Sequence, residues 1–576
     1  MSSSTVIPLG QAPGNEASAT TATTATAATA ATTATTTTAA TAALPDPILD
    51  GLQRGWKVHG GPHQPLPAVL DCDVVIVGSG AGAGITAEML ARAGLKIVIL
   101  EEGPLRSSSQ FKQREADAYP QLYQEAAGRK SLDQTINILQ GRSVGGSTTV
   151  NWTGCFRTPP DALAFWGDKF GLTDFNEAAM VPWFEQAERR LNIHPWPTNP
   201  NENNDVLRRG AEKLGIPTQA VSRNVKGCWN LGSCGMGCPT NAKQSMLVST
   251  LPVALDLGAT LLVQTRAARL ELQGERVTAL VAEPVALDGK VTGQPVRITA
   301  QHYIVAGGAI NSPALLLRSQ LPDPHQLLGK RTFLHPTAGG TALFDHEVAG
   351  WAGAPLSVFC DHFLHQGPVD GPVGYKLEVA PVHPAFALTN GGGIGTDLAQ
   401  RAKEMPNTQL MIALLRDGFH ADAAGGAVQL RDDGTPVVDY RLSDYLLDGV
   451  KRAYVTMAEI QFAAGAQSVR PVHEQATAYA TLAAAKAGIA ALSMKPFLAT
   501  VGSAHVMGGC TMAADAGRGV VRPDGQHWQI TNLSVHDGSV FPTSLGANPQ
   551  LTVYGLATRL TTGLIQRLGA KPVTLA

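Results

Sequence analysis

Between Asp73 and Glu102 the chain reads DVVIVGSGAGAGITAEMLARAGLKIVILEE, in which two short, unbroken apolar runs flank a glycine-dense turn and a stretch of helical periodicity. Val74 to Val77 and Lys96 to Leu100 predict strands buried on both faces, because a strand with one wet face would alternate apolar and polar positions. Ile85 to Ala93 predicts a helix, stopped by Gly94. The stretch is one βαβ unit. Later the pattern changes twice. From about 158 to 224, ALAFWGDKFGL, MVPWFEQAERRL and DVLRRGAEKLG carry helical periodicity between proline-rich breaks. From about 341 to 499 short strands dominate, with Asp433-Gly434 as a hairpin turn between AVQLRD and PVVDYRL and then a long amphipathic helix from Ser443 to Ala464.

The turn Gly78-Ser79-Gly80-Ala81-Gly82-Ala83-Gly84 suits a diphosphate. Gly78 allows the sharp bend, Gly80 lets backbone approach a pyrophosphate, and a small residue at Ala83 lets helix and strand pack closely. N–H groups at the helix start then face the phosphates. A carboxylate for a ribose hydroxyl is expected roughly 20 residues on, and Glu101 and Glu102 follow Gly78 by 23 and 24 positions. Strand, turn, helix, strand and terminal acid together predict adenine dinucleotide binding, where the glycines alone would be weak evidence.

Length and composition narrow the class. A chain of 576 residues exceeds one ordinary core, so two interleaved domains are expected. Net charge is −2 with no basic cluster, which argues against nucleic acid and against an electrostatic membrane anchor. Seven cysteines in this length are no disulfide framework, so a reducing, cytoplasmic setting is expected, with peripheral membrane association left open. Residues 1–44 form an Ala/Thr-rich stretch, its run SATTATTATAATAATTATTTTAATAA having no large apolar side chain and no charge, expected to be a disordered tail and not a secretory signal. No run of 18 apolar residues occurs, so no transmembrane segment is expected. Order is expected from near Pro45, where PDPILDGLQRGWKV opens with a short amphipathic helix.

Further motifs narrow the chemistry. Gly141-Arg142-Ser143-Val144-Gly145-Gly146-Ser147-Thr148-Thr149-Val150-Asn151 pairs glycines with small hydroxylic residues, as backbone pressed against a ligand would. Tyr303 to Pro313, YIVAGGAINSP, is a buried strand running into a glycine turn. Near the C-terminus stand His505-Val506-Met507-Gly508-Gly509-Cys510-Thr511-Met512, then Asp537-Gly538-Ser539-Val540-Phe541-Pro542 and Asn548-Pro549-Gln550-Leu551-Thr552. In this order the motifs resemble the glucose-methanol-choline (GMC) oxidoreductases, flavoenzymes that mostly oxidise alcohols, over about Asp71 to Leu568. The segment closing the family's second signature is replaced by Arg318-Ser319-Gln320-Leu321, read as a difference in a surface connection.

The resemblance implies an α/β fold in which a Rossmann-like FAD-binding domain (68–157, 225–340 and 500–576) interleaves with an α+β substrate domain built on an antiparallel sheet (158–224 and 341–499). It implies FAD contacts at Gly78, Ser79, Gly80, Ala83, Gly84, Glu101, Glu102, Arg142, Gly145, Gly146, Ser147, Asn151, Ala268, Asp537, Gly538, Asn548, Pro549, Gln550, Leu551 and Thr552. No histidine lies between Gly141 and Phe156, so noncovalent FAD is expected. His505 would take the hydroxyl proton as hydride leaves for flavin N5, a task suited to an unperturbed imidazole pKa of about 6.5. Asn548 would hydrogen-bond the same oxygen and orient it. His335 and His536 have no motif behind them and are read as structural, and Cys510 as a packed thiol.

Cys228, Cys234 and Cys238 form a C-x5-C-x3-C run followed by proline. Three thiolates in this setting suit a [3Fe-4S] cluster, as in flavin subunits of bacterial sugar dehydrogenases of the same family. A similar segment leading into Lys243-Gln244-Ser245 also resembles the long-chain alcohol oxidases, where the thiols would be free or locally paired; zinc is the weakest fit. The expected substrate is an apolar primary alcohol, with oxygen, a quinone or an electron-carrier protein as acceptor. Open beside it stand an electron-transferring flavin subunit and a lyase or photodecarboxylase on the same scaffold.

Overall fold

The computed structural model describes residues 44–391 and 393–575, so the expected tail, apart from Leu44, lies outside the described residues. Strand β1 (Val69–Val77) starts earlier than the apolar run, because its partly exposed first half pairs with the strand beside it. Helix α1 (Ala81–Arg92) also starts earlier than Ile85: the residues after Gly80 form its first turn. There Gly82 and Gly84 are pressed against the His536 carbonyl and the Met246 side chain, where a β-carbon would collide. β2 (Ile97–Leu100) is buried throughout and parallel to β1.

On the other side of β1 lies β3 (Val296–Val305), also parallel and in register from Val69↔Arg297 to Val77↔Val305. The eight-stranded sheet runs, edge to edge, from 57–59 through 260–262, β2, β1, β3 and 276–284 to 265–273, with 533–535 also pairing β3. After β3 the chain turns through Ala306-Gly307 into helix α2 (Gly308–Arg318).

A second, six-stranded sheet is built on β4 (Thr337–Leu343), β5 (Tyr375–Val379) and β6 (Thr408–Leu415), with β6 antiparallel to both others. Ser468–Pro471 and Val501–Ser503 pair antiparallel to β4, and Ile136–Ile138 lies parallel to the latter. Helix α3 (Asp444–Ala463), capped by Ser443, covers this sheet, and Gly340 and Gly449 allow close contact with Met457 and with Val373 and Leu415. The expected hairpin forms, Gly426–Leu430 pairing antiparallel with Pro436–Asp439 around Asp433-Gly434.

From Asp46 onward the chain is one compact unit. Within it, one large apolar cluster surrounds the first sheet and a second lies around the second sheet and α3. Helix α4 (Gln550–Arg567) packs on α1 and closes the first cluster. Among the described residues no helix is long and apolar enough to cross a membrane.

Candidate active site

A cavity of about 1950 Å³ runs from the glycine turn after β1 to the second sheet. That is larger than the ~300–1000 Å³ of an ordinary single-ligand pocket, and gives room for a dinucleotide and a substrate together. At its first end the wall is backbone. Gly78 holds φ +99°, and a β-carbon there would meet the Ala306 carbonyl. At Gly80, the N-cap of α1, a β-carbon would meet only the Gly146 Cα at 3.8 Å. The helix N-terminus is thus open toward the cavity, as a diphosphate requires.

Side chains brace this turn from behind. Ser79 Oγ donates to Glu101 Oε2 at 2.5 Å and accepts from Gly145 N–H at 3.0 Å, while Gly103 N–H donates to Glu101 Oε1 at 2.9 Å. Burial raises the Glu101 pKa to about 7, against the lowering effect of those bonds. Glu102 instead accepts from Arg142 Nε at 3.1 Å, and Arg142 also donates to the Leu287 carbonyl at 2.6 Å. Both carboxylates border the cavity.

At the other end the wall is made of side chains. His505 and Asn548 both line the cavity. His505 Nδ1 lies 3.1 Å from His335 Nδ1, so one of these nitrogens carries the proton between them. Burial pulls the His505 imidazolium down to about 4; Glu378 opposes this and Lys376 adds to it. Asn548 Oδ1 accepts from Lys376 Nζ at 3.2 Å and its Nδ2 donates to Glu378 Oε2 at 3.1 Å. Lys376 and Glu378, two apart on β5 and so on one face of it, form an ion pair at 3.0 Å with side chains 2% exposed. Burial lowers the Lys376 ammonium to about 8, with Glu378 holding it up. The ammonium lies 2.8 Å from the Phe156 ring centre.

Residues 119–337 and 422–557 match the models of the N- and C-terminal domains of GMC oxidoreductases. The chain belongs to the GMC oxidoreductase family. It is an FAD-dependent oxidoreductase, and the open turn at Gly80, with two carboxylates beyond it, fits that cofactor. A long-chain-alcohol oxidase of Arabidopsis thaliana is 28% identical over 547 residues, covering 87% of this chain and 71% of the relative. An uncharacterized GMC-type oxidoreductase of Sinorhizobium fredii is 29% identical over 502 residues, covering 85% and 94%. Among solved structures, pyridoxine 4-oxidase from Mesorbium loti superposes with TM-score 0.62 at 16% identity, covering 86% of this chain and 99% of that one. Formate oxidase superposes with TM-score 0.63 at 13% identity, covering 87% and 99%. At those identities the structures speak for the fold alone.

In this GMC chain the cavity gathers Gly78, Ser79, Gly80, Glu101, Glu102, Arg142, Gly146, Ser147, Asn151, Ala268, Asp537, Gly538, Asn548, Pro549 and Gln550. It does not gather Ala83, Gly84, Gly145, Leu551 or Thr552. Ala83 and Leu551 are core, Gly84 packs on Met246, and Thr552 Oγ1 hydrogen-bonds Thr158 Oγ1 at 2.8 Å. Gly145 acts through its N–H on Ser79. Asp537 Oδ2 accepts from Gly308 N–H at 2.8 Å and from Ser312 Oγ at 2.5 Å, tying the turn before α2 to the C-terminal motif. Arg318 corrects the reading of its segment as a surface connection, for it borders the cavity and donates to the Ala267 and Ala268 carbonyls. His536 is structural, bonded to Thr86 and Ser534, whereas His335 touches His505.

The geometry of the cysteine loop gives the cluster expectation no support. Among the described residues no group of three His, Cys, Asp or Glu is placed to hold a metal, and the three thiols are free. Each sulfur is engaged nearby: Cys234 by Arg223 Nη2 at 3.7 Å, Cys228 by Asn230 N–H at 3.4 Å, Cys238 with Thr240 Oγ1 at 3.5 Å. Lys243 Nζ does the work of closing the loop, donating to the carbonyls of Thr149, Asn151 and Cys234 at 2.8, 2.7 and 2.7 Å.

Proposed function

We propose that this enzyme oxidises an apolar primary alcohol to the aldehyde, with His505 as the base and oxygen as the final acceptor. The observation that carries the reading is that His505 and Asn548 border one cavity with the open glycine turn and share the Lys376–Glu378 pair as neighbour. Bound FAD supplies a hydride acceptor at flavin N5. With FAD bound, the C–H electron pair would leave the substrate as hydride to that acceptor, while His505 would take the O–H proton and the C=O double bond would form. In the tautomer whose His505 Nδ1–H donates to His335 Nδ1, the lone pair on His505 Nε2 takes that proton. Asn548 donates to the oxygen as negative charge gathers on it.

The substrate class follows from the cavity wall and from the relatives. Leu343, Val382, Phe386, Leu410, Ile412 and Val472 give one stretch of the lining to hydrocarbon, and several relatives are long-chain-alcohol oxidases. Oxygen is favoured as acceptor by the same relatives and by the absence, among the described residues, of a metal site for relaying electrons. The test is anaerobic mixing of the flavin-loaded enzyme with primary alcohols of rising chain length. Flavin bleaching that strengthens with chain length and reverses in air is expected; bleaching only by polyols, or by no alcohol, overturns the reading.

A further inference from the structure

The Lys376–Glu378 pair belongs to no motif, yet it lies against the amide that the proposed chemistry uses. A buried ion pair is an expensive device, since desolvation of two charges commonly equals or exceeds their attraction. These two side chains are 2% exposed, and their charges meet different ends of one neutral side chain. The ammonium takes the carbonyl oxygen of Asn548 and the carboxylate takes its NH2. Turning the amide over would set NH2 against ammonium and carbonyl against carboxylate, so electrostatics permits one orientation only. An amide nitrogen has two hydrogens. Glu378 uses one, and because Asn548 lines the cavity the other is left for a ligand there. Glu378 Oε1 lies 3.0 Å from Lys376 Nζ, an attraction of opposite charges, while Glu378 Oε2 takes the amide N–H.

We propose that Lys376 and Glu378 are positioning residues that lock the Asn548 amide with its second N–H toward the substrate oxygen. The proposal rests on the reading of Asn548 as the donor to that oxygen. The lysine adds polarisation: an ammonium on the carbonyl draws electron density from the amide and strengthens the opposite N–H as a donor. Equal and opposite charges keep the pair neutral as a whole beside the hydride path. His505 is faced by His335 as well as by the pair, so its position does not depend on the lock alone.

A double-mutant cycle on the FAD-loaded enzyme tests this. Lys376→Met/Glu378→Leu removes both charges together and leaves no buried ion unpaired, so it is expected to fold and retain flavin. Flavin reduction at saturating alcohol should fall about 10- to 100-fold with KM nearly unchanged, the signature of a contact made in the transition state. Adding Asn548→Ala to that variant should cost no further rate, because both changes remove the same N–H. Glu378→Gln, which keeps an acceptor for the amide, should regain most of the rate lost in Glu378→Leu. Wild-type reduction by the double variant, additive losses with Asn548→Ala, or equal rates for the Gln and Leu variants would overturn the lock. If Asn548→Ala alone reduces flavin at the wild-type rate, the reading of Asn548 fails with it; a slow Asn548→Ala beside a fast double variant sinks the lock only. Melting temperature reads the same cycle without substrate. Asn548→Ala should lower it in the wild-type background and leave it unchanged in the double variant, and equal shifts in both would count against the lock.

Discussion

From Val77 to Gly82 the cavity wall is backbone, supplied by one short stretch of chain; at Glu378, His505 and Asn548 it is side chains drawn from three distant stretches. The first end is specified by what is missing. Gly78 must bend with positive φ, and Gly80 must carry no side chain because the ligand takes that space. The second end is specified by partnership, since the buried Lys376, Glu378 and Asn548 and the half-buried His505 each meet a polar neighbour. A cradle of N–H groups works for any diphosphate, which suits a cofactor common to a family. In the proposed mechanism a held amide and an imidazole act on one oxygen, which suits catalysis.

The contrast is sharpest between two glycines of one turn. Gly80→Leu should fold, since a β-carbon there meets only the Gly146 Cα at 3.8 Å, but should retain no flavin on gel filtration. Gly82→Val should instead fail to yield folded protein, because its β-carbon runs into the His536 carbonyl. Flavin retained by Gly80→Leu would break the comparison at its first end.

At the second end His505→Ala should slow flavin reduction by alcohol about 100-fold or more, the usual worth of a positioned base, while leaving the flavin spectrum unchanged. Stopped-flow absorbance checks this, and a near wild-type rate would take His505 out of the chemistry. A smaller effect concerns pH. With the imidazolium pulled down to about 4, His505 is neutral and active throughout the neutral range. The rate of reduction should therefore stay flat from pH 8 to about pH 5 and fall as the acid protonates the base near pH 4; a limb near 6.5 would show His505 to be better solvated than the structure has it. The smallest effect is expected at the cysteine loop. Cys228→Ser and Cys234→Ser should leave reduction within about 2-fold of wild type, and iron analysis should find none, because Lys243 and not a metal closes the loop.

How far the site could be read from sequence depends on how local each part is. The βαβ unit between Asp73 and Glu102, the Gly141–Asn151 stretch, His505 and Asn548 each announce themselves within one continuous piece of chain, through glycine spacing or a contiguous motif. Lys376 and Glu378 do not. In Tyr375-Lys376-Leu377-Glu378-Val379 the alternating charges read as the wet face of a strand, yet every residue of β5 is buried. The available signal was two opposite charges at i and i+2 inside an otherwise apolar strand. His335 was set aside because nothing near it in sequence marks it, and only the fold brings its ring to His505. The segment Arg318-Ser319-Gln320-Leu321 reads in sequence as a surface connection, but α2 ends beside the cavity. The cysteines misled because spacing says how many thiols a loop carries and nothing about where they point.

By itself the sequence determined that a dinucleotide unit stands in the front part of the chain, that glycine and not side chains shapes its turn, and that an imidazole and an amide stand near the other end. Those features are properties of neighbouring residues, governed by local sterics and hydrogen bonding, and they survive without knowledge of the rest. Only the tertiary structure decided that His335 meets Nδ1 of His505, what holds Asn548, and that Lys243 gathers the cysteine loop. The reason is that the energy of a buried charge or an unpaired donor depends on what lies within a few ångströms of it in space, and that set is chosen by the fold.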